Sequence, residues 1–149
     1  MTEKELNSLY YINIELERIK KQIEDIKDKK REIALTPIIG GAGVTGMPKN
    51  PSPTNALENT VINRIAMQEQ LNYELEKQLE RYSEKQLEYE RRKLVIEGYI
   101  ELIEDVQTRC IFRYRCIGRM SWEEIGAILY IDRRTASRKF YNYIKNHNF

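Results

Sequence analysis

Leu9, Ile12, Leu16, Ile19, Ile23, Ile26 and Ile33 recur at alternating steps of three and four residues, broken only where Lys30 replaces an apolar side chain. Steps that average 3.5 residues draw one narrow apolar seam along a helix, as in a coiled coil. Glu, Lys, Asp and Arg dominate the positions between, so the opposite face is solvated. A helix from about Glu3 to Ile33 is roughly 45 Å long at 1.5 Å per residue. It cannot bury such a stripe alone, so a second helix must pack on it. With 32% charged residues and few aromatics, the composition suits long solvated helices rather than a sheet-rich globule. The expected fold class is all-α.

The seam stops in ALTPIIGGAGVTGMPKNPSPTN, which holds all four prolines and four of the seven glycines. Proline forbids a continuing helix, and this composition marks a flexible connection over residues 34–54. Gly40, Gly41 and Gly43 do not form a phosphate loop, because no GK[ST] ending follows and no strand precedes them. Helix is expected to resume near Asn55 as N-cap, with Glu58 completing a capping box. Val61, Ile65, Leu75, Leu79 and Tyr82 continue one side, interrupted by Gln68 and Asn72. A third helical stretch, about Arg91 to Ile103, carries Leu94, Ile96, Tyr99, Ile100 and Ile103, with Gly98 marking a bend or close packing. The two long helices fold back on each other as an antiparallel pair or pair between chains in a homodimer; both are open at this point. Residues 1–33, 34–54, 55–104 and 105–149 thus read as N-terminal helix, linker, second helical segment and terminal module.

The formal net charge of +2 hides a division. From Val106 to Phe149 nine basic side chains face three acidic ones, a balance of +6, and the preceding residues carry −4. A basic end behind a mildly acidic arm is the footprint of a nucleic-acid-binding module. Cys110 and Cys116 are spaced for neither a CxxC pair nor zinc ligation, and are expected as two buried thiols. MTEKELN lacks the features of a secretory signal, and no apolar run nears the ~20 residues that span a bilayer. The expected location is the cytoplasm.

From Asp105 onward the caps sharpen. Val106 to Ile117 reads as one helix with Val106, Cys110, Ile111, Tyr114 and Ile117 inward, and Gly118 is placed to end it in a left-handed conformation. Ser121 and Glu124 form a capping box, with Met120 and Ile125 as hydrophobic staple, opening a helix from Trp122 to Leu129. Asp132 is positioned as N-cap of a last helix to about Asn146. Two short helices joined by a tight turn, the second rich in Arg, describe a helix-turn-helix. Ile125, Leu129 and Ile131 lock the pair, Gly126 and Ala127 allow close approach, and Ala136, Phe140, Tyr143 and Ile144 give the last helix a buried stripe. Its other face is expected to carry Arg133, Arg134, Ser137, Arg138 and Asn142, the candidates for contact with base edges. Arg reads guanine and Asn reads adenine through paired hydrogen bonds, each worth about 1–3 kcal/mol of discrimination. Arg119, Ser121, Thr135, Lys139 and Lys145 are the candidates for phosphate contacts, which fix orientation.

The stretch IFRYRCIGRMSWEEIGAILYIDRRTASRKFYNYIK resembles region 4 of the sigma-70 family. The whole chain, with its N-terminal helix, linker, second helix opening TNALENTVINRI, and SWEEI motif, is similar to ArpU-like late transcriptional regulators of Gram-positive phages and prophages. The resemblance implies a sequence-specific regulator that binds double-stranded promoter or operator DNA in the bacterial host, with RNA polymerase as a further partner. Two residues depart from the family pattern: Tyr130 stands where the turn usually has Gly, and Ala136 where the anchor is usually β-branched.

His147 is the only histidine and has no nucleophile or metal-ligand spacing around it. The carboxylates sit among Lys and Arg on solvated helix faces. Neither an enzyme, nor a cofactor, nor a metal site is expected. Two other readings stay open: a DNA-recognition subunit of a packaging machine, similar to small terminase subunits, and an adapter that grips polymerase through Trp122, Tyr114 and Tyr141.

Overall fold

The computed structural model describes residues 1–37 and 53–147, and every element among them is helical. In order these are α1 (Glu3–Leu6), α2 (Ser8–Leu35), α3 (Pro53–Glu101), α4 (Val106–Phe112), a π-helical turn (Arg113–Ile117), α5 (Trp122–Leu129) and α6 (Arg133–His147). None is long and apolar enough to cross a membrane. Most of the expected linker, residues 38–52, lies outside the described residues.

Element boundaries differ from expectation in three places. The first helix is split at Asn7, between α1 and α2. Thr2 caps α1 reciprocally with Glu5, whose carboxyl is held below its usual range by the Thr2 amide and hydroxyl. Next, α3 begins at Pro53, where a missing N–H costs nothing, so Asn55 lies inside the first turn rather than capping it. Finally, α3 runs unbroken through the expected division before Arg91. No proline interrupts it there, and a Cβ at Gly98 would meet nothing within 4 Å. Gly98 therefore serves no packing need among the described residues.

The chain divides into two compact units. In Arg18–Tyr82, α2 and α3 run antiparallel. Lys29 and Ile33 lie beside Met67, Leu71 and Glu74. The Arg64 guanidinium donates to the carbonyls of Ile33 and, at 2.8 Å, Thr36, closing the C-terminal end of α2. Ile19, Ile23 and Ile26 are buried as their spacing requires. The facing seam of α3 agrees with the expected one at Val61, Gln68, Leu75 and Tyr82, and its intermediate positions are Arg64, Leu71 and Gln78 rather than Ile65, Asn72 and Leu79, which are exposed. Four of the seven seam positions hold Arg, Gln or Tyr, so hydrophobicity alone misplaces the intermediate ones.

The other unit joins Met1–Glu17 to Ser83–Phe149. Its core gathers Leu6 and Leu9 from the N-terminal helices and Ile96, Ile100 and Ile103 from α3 and its end. Ile111, Phe112, Cys116, Ile125, Ala136, Phe140 and Ile144 complete it. Phe112 and Phe140 stack with centroids 4.5 Å apart, and Tyr143 and Trp122 close on them at 5.3 Å each. Residues from 105 onward thus share one core with the first turns of the chain. Lys85 of α3 bridges Glu15 of α2 at 2.9 Å and Glu88 at 3.2 Å, and these carboxylates raise its pKa. Val106, expected inward, is exposed, and so are Leu94 and Ala127.

Candidate functional site

Asp105 opens α4: its carboxylate accepts from the Thr108 amide at 3.0 Å and the Thr108 hydroxyl at 2.6 Å. Those two bonds hold its pKa below the usual carboxylate value. The helix then widens into the π turn over Arg113–Ile117. Gly118 does not take the left-handed conformation expected of it; its φ is −76°. A Cβ there would lie 2.8 Å from the Tyr114 carbonyl oxygen, so glycine is required for close approach. The left-handed residue is the next one, Arg119, with φ 56°. Met120 N–H then reaches back to Tyr114 O at 3.1 Å.

Ser121 caps α5 as its sequence suggests: its Oγ accepts from Glu124 N at 3.2 Å, and Glu124 Oε2 accepts from Ser121 N at 3.2 Å. Ile125 is fully buried, with Met120 packed against the same core. Tyr130 ends α5 in the left-handed region (φ 56°, ψ 40°), and Ile131 N–H bonds back to Gly126 O at 3.0 Å. That six-to-one bond is the mark of a Schellman ending, here built on a tyrosine. A Cβ at Gly126 would lie 2.7 Å from Ile131 O, so the turn folds directly over this glycine.

Helix α6 follows, its first bond running from Ala136 N to Asp132 O at 3.1 Å. Ala136, Phe140 and Ile144 are buried, with Tyr143 beside them. The small side chain at 136 lets α6 sit close on the core. Directly opposite that stripe, Arg134, Arg138, Asn142 and Lys145 are exposed. Neither Arg134 nor Arg138 has an acidic partner among the described residues. Thr135 is half-buried.

Three of the sequence candidates are placed differently. Arg133 is exposed but pairs with Glu123 of α5 at 3.0 Å, so its guanidinium is engaged rather than free. Ser137 is half-buried and joins Ser121, Trp122, Glu123, Arg133 and Arg134 around a shallow cleft between α5 and α6. The Lys139 ammonium bonds to Gln107 Oε1 of α4, bracing α6 from behind.

Arg115 is not among the sequence candidates. Its guanidinium lies 4.3 Å from the Trp122 ring centre and donates to Met120 O at 2.9 Å. Only the alternation of Arg with aromatics in RYRC hinted at it. Tyr141 bonds to Glu3 at 3.2 Å, and its pKa is raised by burial and by that carboxylate. Cys116 is buried and its thiol is pushed up to about 12 by that burial, whereas Cys110 is only half-buried, against the expectation of two buried thiols. No group of three or more potential metal ligands occurs among the described residues. Comparison with known protein families, characterised proteins and solved structures finds no match to this chain.

Proposed function

We propose that this protein is a sequence-specific, double-stranded DNA-binding regulator of transcription, acting on phage or prophage genes. In this reading α5, the turn and α6 are a helix-turn-helix of the sigma region-4 kind, carried behind a coiled-coil arm formed by α2 and α3. The observation that carries it is the outward face of α6. Arg134, Arg138 and Asn142 stand free on a helix whose other face is locked into a core. Rigid presentation matters, because a side chain that reads base edges must be held in register by the scaffold. The basic balance of this segment supplies the sequence-independent attraction to phosphates on which such reading depends.

Promoter DNA is the partner, with RNA polymerase as a further one. Arg134, Arg138 and Asn142 contact bases. Arg133 joins them on release from Glu123, and Ser137 reaches only from the cleft edge. Phosphate contacts fall to Arg119, Ser121, Thr135 and Lys145. Selection of bound fragments from a random duplex library tests the reading, with Arg134→Ala/Arg138→Ala in parallel. An enriched motif that disappears in the double mutant, at unchanged thermal stability, is the expected result. No enrichment by the wild type at low salt would overturn sequence-specific reading by this protein alone.

A further inference from the structure

A second cleft of the same compact unit lies outside the α5–α6 pair. It is lined by Asn7, Tyr10, Tyr11, Arg115 and Arg119. Every one of these side chains can donate a hydrogen bond, and none is acidic. Tyr10 and Tyr11 are 52% and 63% exposed, set edge to face at 5.4 Å, and their hydroxyls have no partner among the described residues. Two guanidinium groups and two unused phenols around one opening specify an anion with several acceptor oxygens.

The arrangement is also fixed in advance. Arg115 is pinned by the Met120 carbonyl and the Trp122 ring, so its planar fork is already ordered. Arg119 is held in a left-handed conformation, which is unfavourable for a non-glycine residue; such outliers persist where the surroundings over-determine them. The π turn supplies the extra residue that carries the backbone from one arginine to the other. Trp122, under Arg115, also lines the α5–α6 cleft. The Arg115–Trp122 stack therefore links the two clefts as a shared wall, Arg115 lining one and Trp122 the other.

We propose that this cleft binds a phosphate of the DNA backbone beside the segment read by α6, so that the N-terminal helix α2 takes part in DNA binding. This rests on the DNA-binding reading above. The shared wall favours a phosphodiester of the same duplex over free phosphate. The contact is blind to sequence and fixes the register of α6 on the groove.

The test uses the full chain, a mixed-sequence duplex, and fluorescence anisotropy over a series of salt concentrations. Arg119→Gly removes the charge while suiting the left-handed backbone, so the fold is retained. It is expected to reduce the steepness of log K against log salt by about 0.9, the value of one phosphate. Tyr10→Phe/Tyr11→Phe removes donors without charge, and is expected to weaken binding about two- to ten-fold with the slope unchanged. Both effects should be equal on selected and scrambled sequences. Wild-type affinity and slope in both variants would overturn the proposal while leaving recognition by α6 intact. A wild type that binds no duplex at low salt would instead overturn the DNA reading itself, and this proposal with it. Inorganic phosphate that quenches tyrosine fluorescence in an Arg119-dependent way, with duplex binding unaffected by the variants, would reassign the cleft to free phosphate and overturn the backbone contact.

Discussion

The two compact units use the same material, long amphipathic helix, and hold together by different means. In Met1–Glu17 with Ser83–Phe149, side chains converge from all six helices, and nine large ones are almost wholly removed from water. Four aromatic rings meet around Phe112 and Phe140. In Arg18–Tyr82, among the described residues, two helices meet along a line, and the seam on α3 mixes Val and Leu with Arg, Gln and Tyr. Gln78 Oε1 is buried there without a hydrogen-bond partner among the described residues, and an unsatisfied buried acceptor costs about 1–3 kcal/mol. Apolar burial scales with the area removed from water, so the converging unit is the more stable, and the paired helices open at lower free energy. A firmly held α6 and a more readily opened helix pair follow from this difference.

The comparison is most exposed to failure at the N-terminus. Leu9 is fully buried in the core that also holds Phe140 of α6, although well over a hundred residues separate them. Leu9→Ala is expected to destabilise the protein by about 2–5 kcal/mol, as other truncations in tight cores do. Chemical denaturation measures the loss, and hydrogen exchange locates it. Amides of α5 and α6 should lose protection together with those of α1. Retained protection in α5 and α6 would mean that residues from 105 onward fold alone, and the unit drawn here would dissolve.

That long-range partnership was invisible in the sequence, and the reason is physical. The stripe from Leu9 to Ile26 states that α2 is buried on one face, not what covers it. The register of α3 was hidden differently. Arg64 lies on the inward line through its aliphatic stem, and Gln68 and Gln78 share that line, so Ile65 and Leu79 point to the wrong intermediate positions. Capping, by contrast, is local chemistry. Ser121 with Glu124, the turn over Gly126, and the stripe Ala136–Phe140–Ile144 were all readable, because each is settled within a few residues. On α6 the exposure of Arg134, Arg138 and Asn142 follows from periodicity, while the pairing of Arg133 with Glu123 depends on how α5 and α6 pack. Arg115 and the paired tyrosines came together only through tertiary packing.

A smaller effect sharpens the contrast from the side of the arm. Arg64 donates two charged hydrogen bonds to carbonyls at the end of α2, where a cation also meets the negative end of the helix dipole. Arg64→Met keeps the aliphatic stem and removes the donors. We expect a loss of about 1–2 kcal/mol, confined to Arg18–Tyr82. Hydrogen exchange that speeds up in this segment, with α4 to α6 unchanged, would confirm that the two units open independently. Equal loss in both would make the molecule one cooperative block.

The smallest effect expected is a gain. Tyr130 is 95% exposed and holds φ 56°, so its ring contributes little packing while its Cβ strains the backbone. Left-handed geometry costs a non-glycine residue about 1–2 kcal/mol. Glycine gives back part of that relief through its greater freedom in the unfolded chain, about 0.5–1 kcal/mol. Tyr130→Gly should therefore raise stability by about 0.5–1 kcal/mol in thermal or denaturant unfolding. The converging unit tolerates the strained residue only because the Gly126–Ile131 bond and the buried faces of α5 and α6 leave the turn no alternative. A gain with duplex binding retained would class Tyr130 as an uncompensated strain. A gain accompanied by weaker binding would show that the exposed ring is held out, at a cost in stability, toward the DNA.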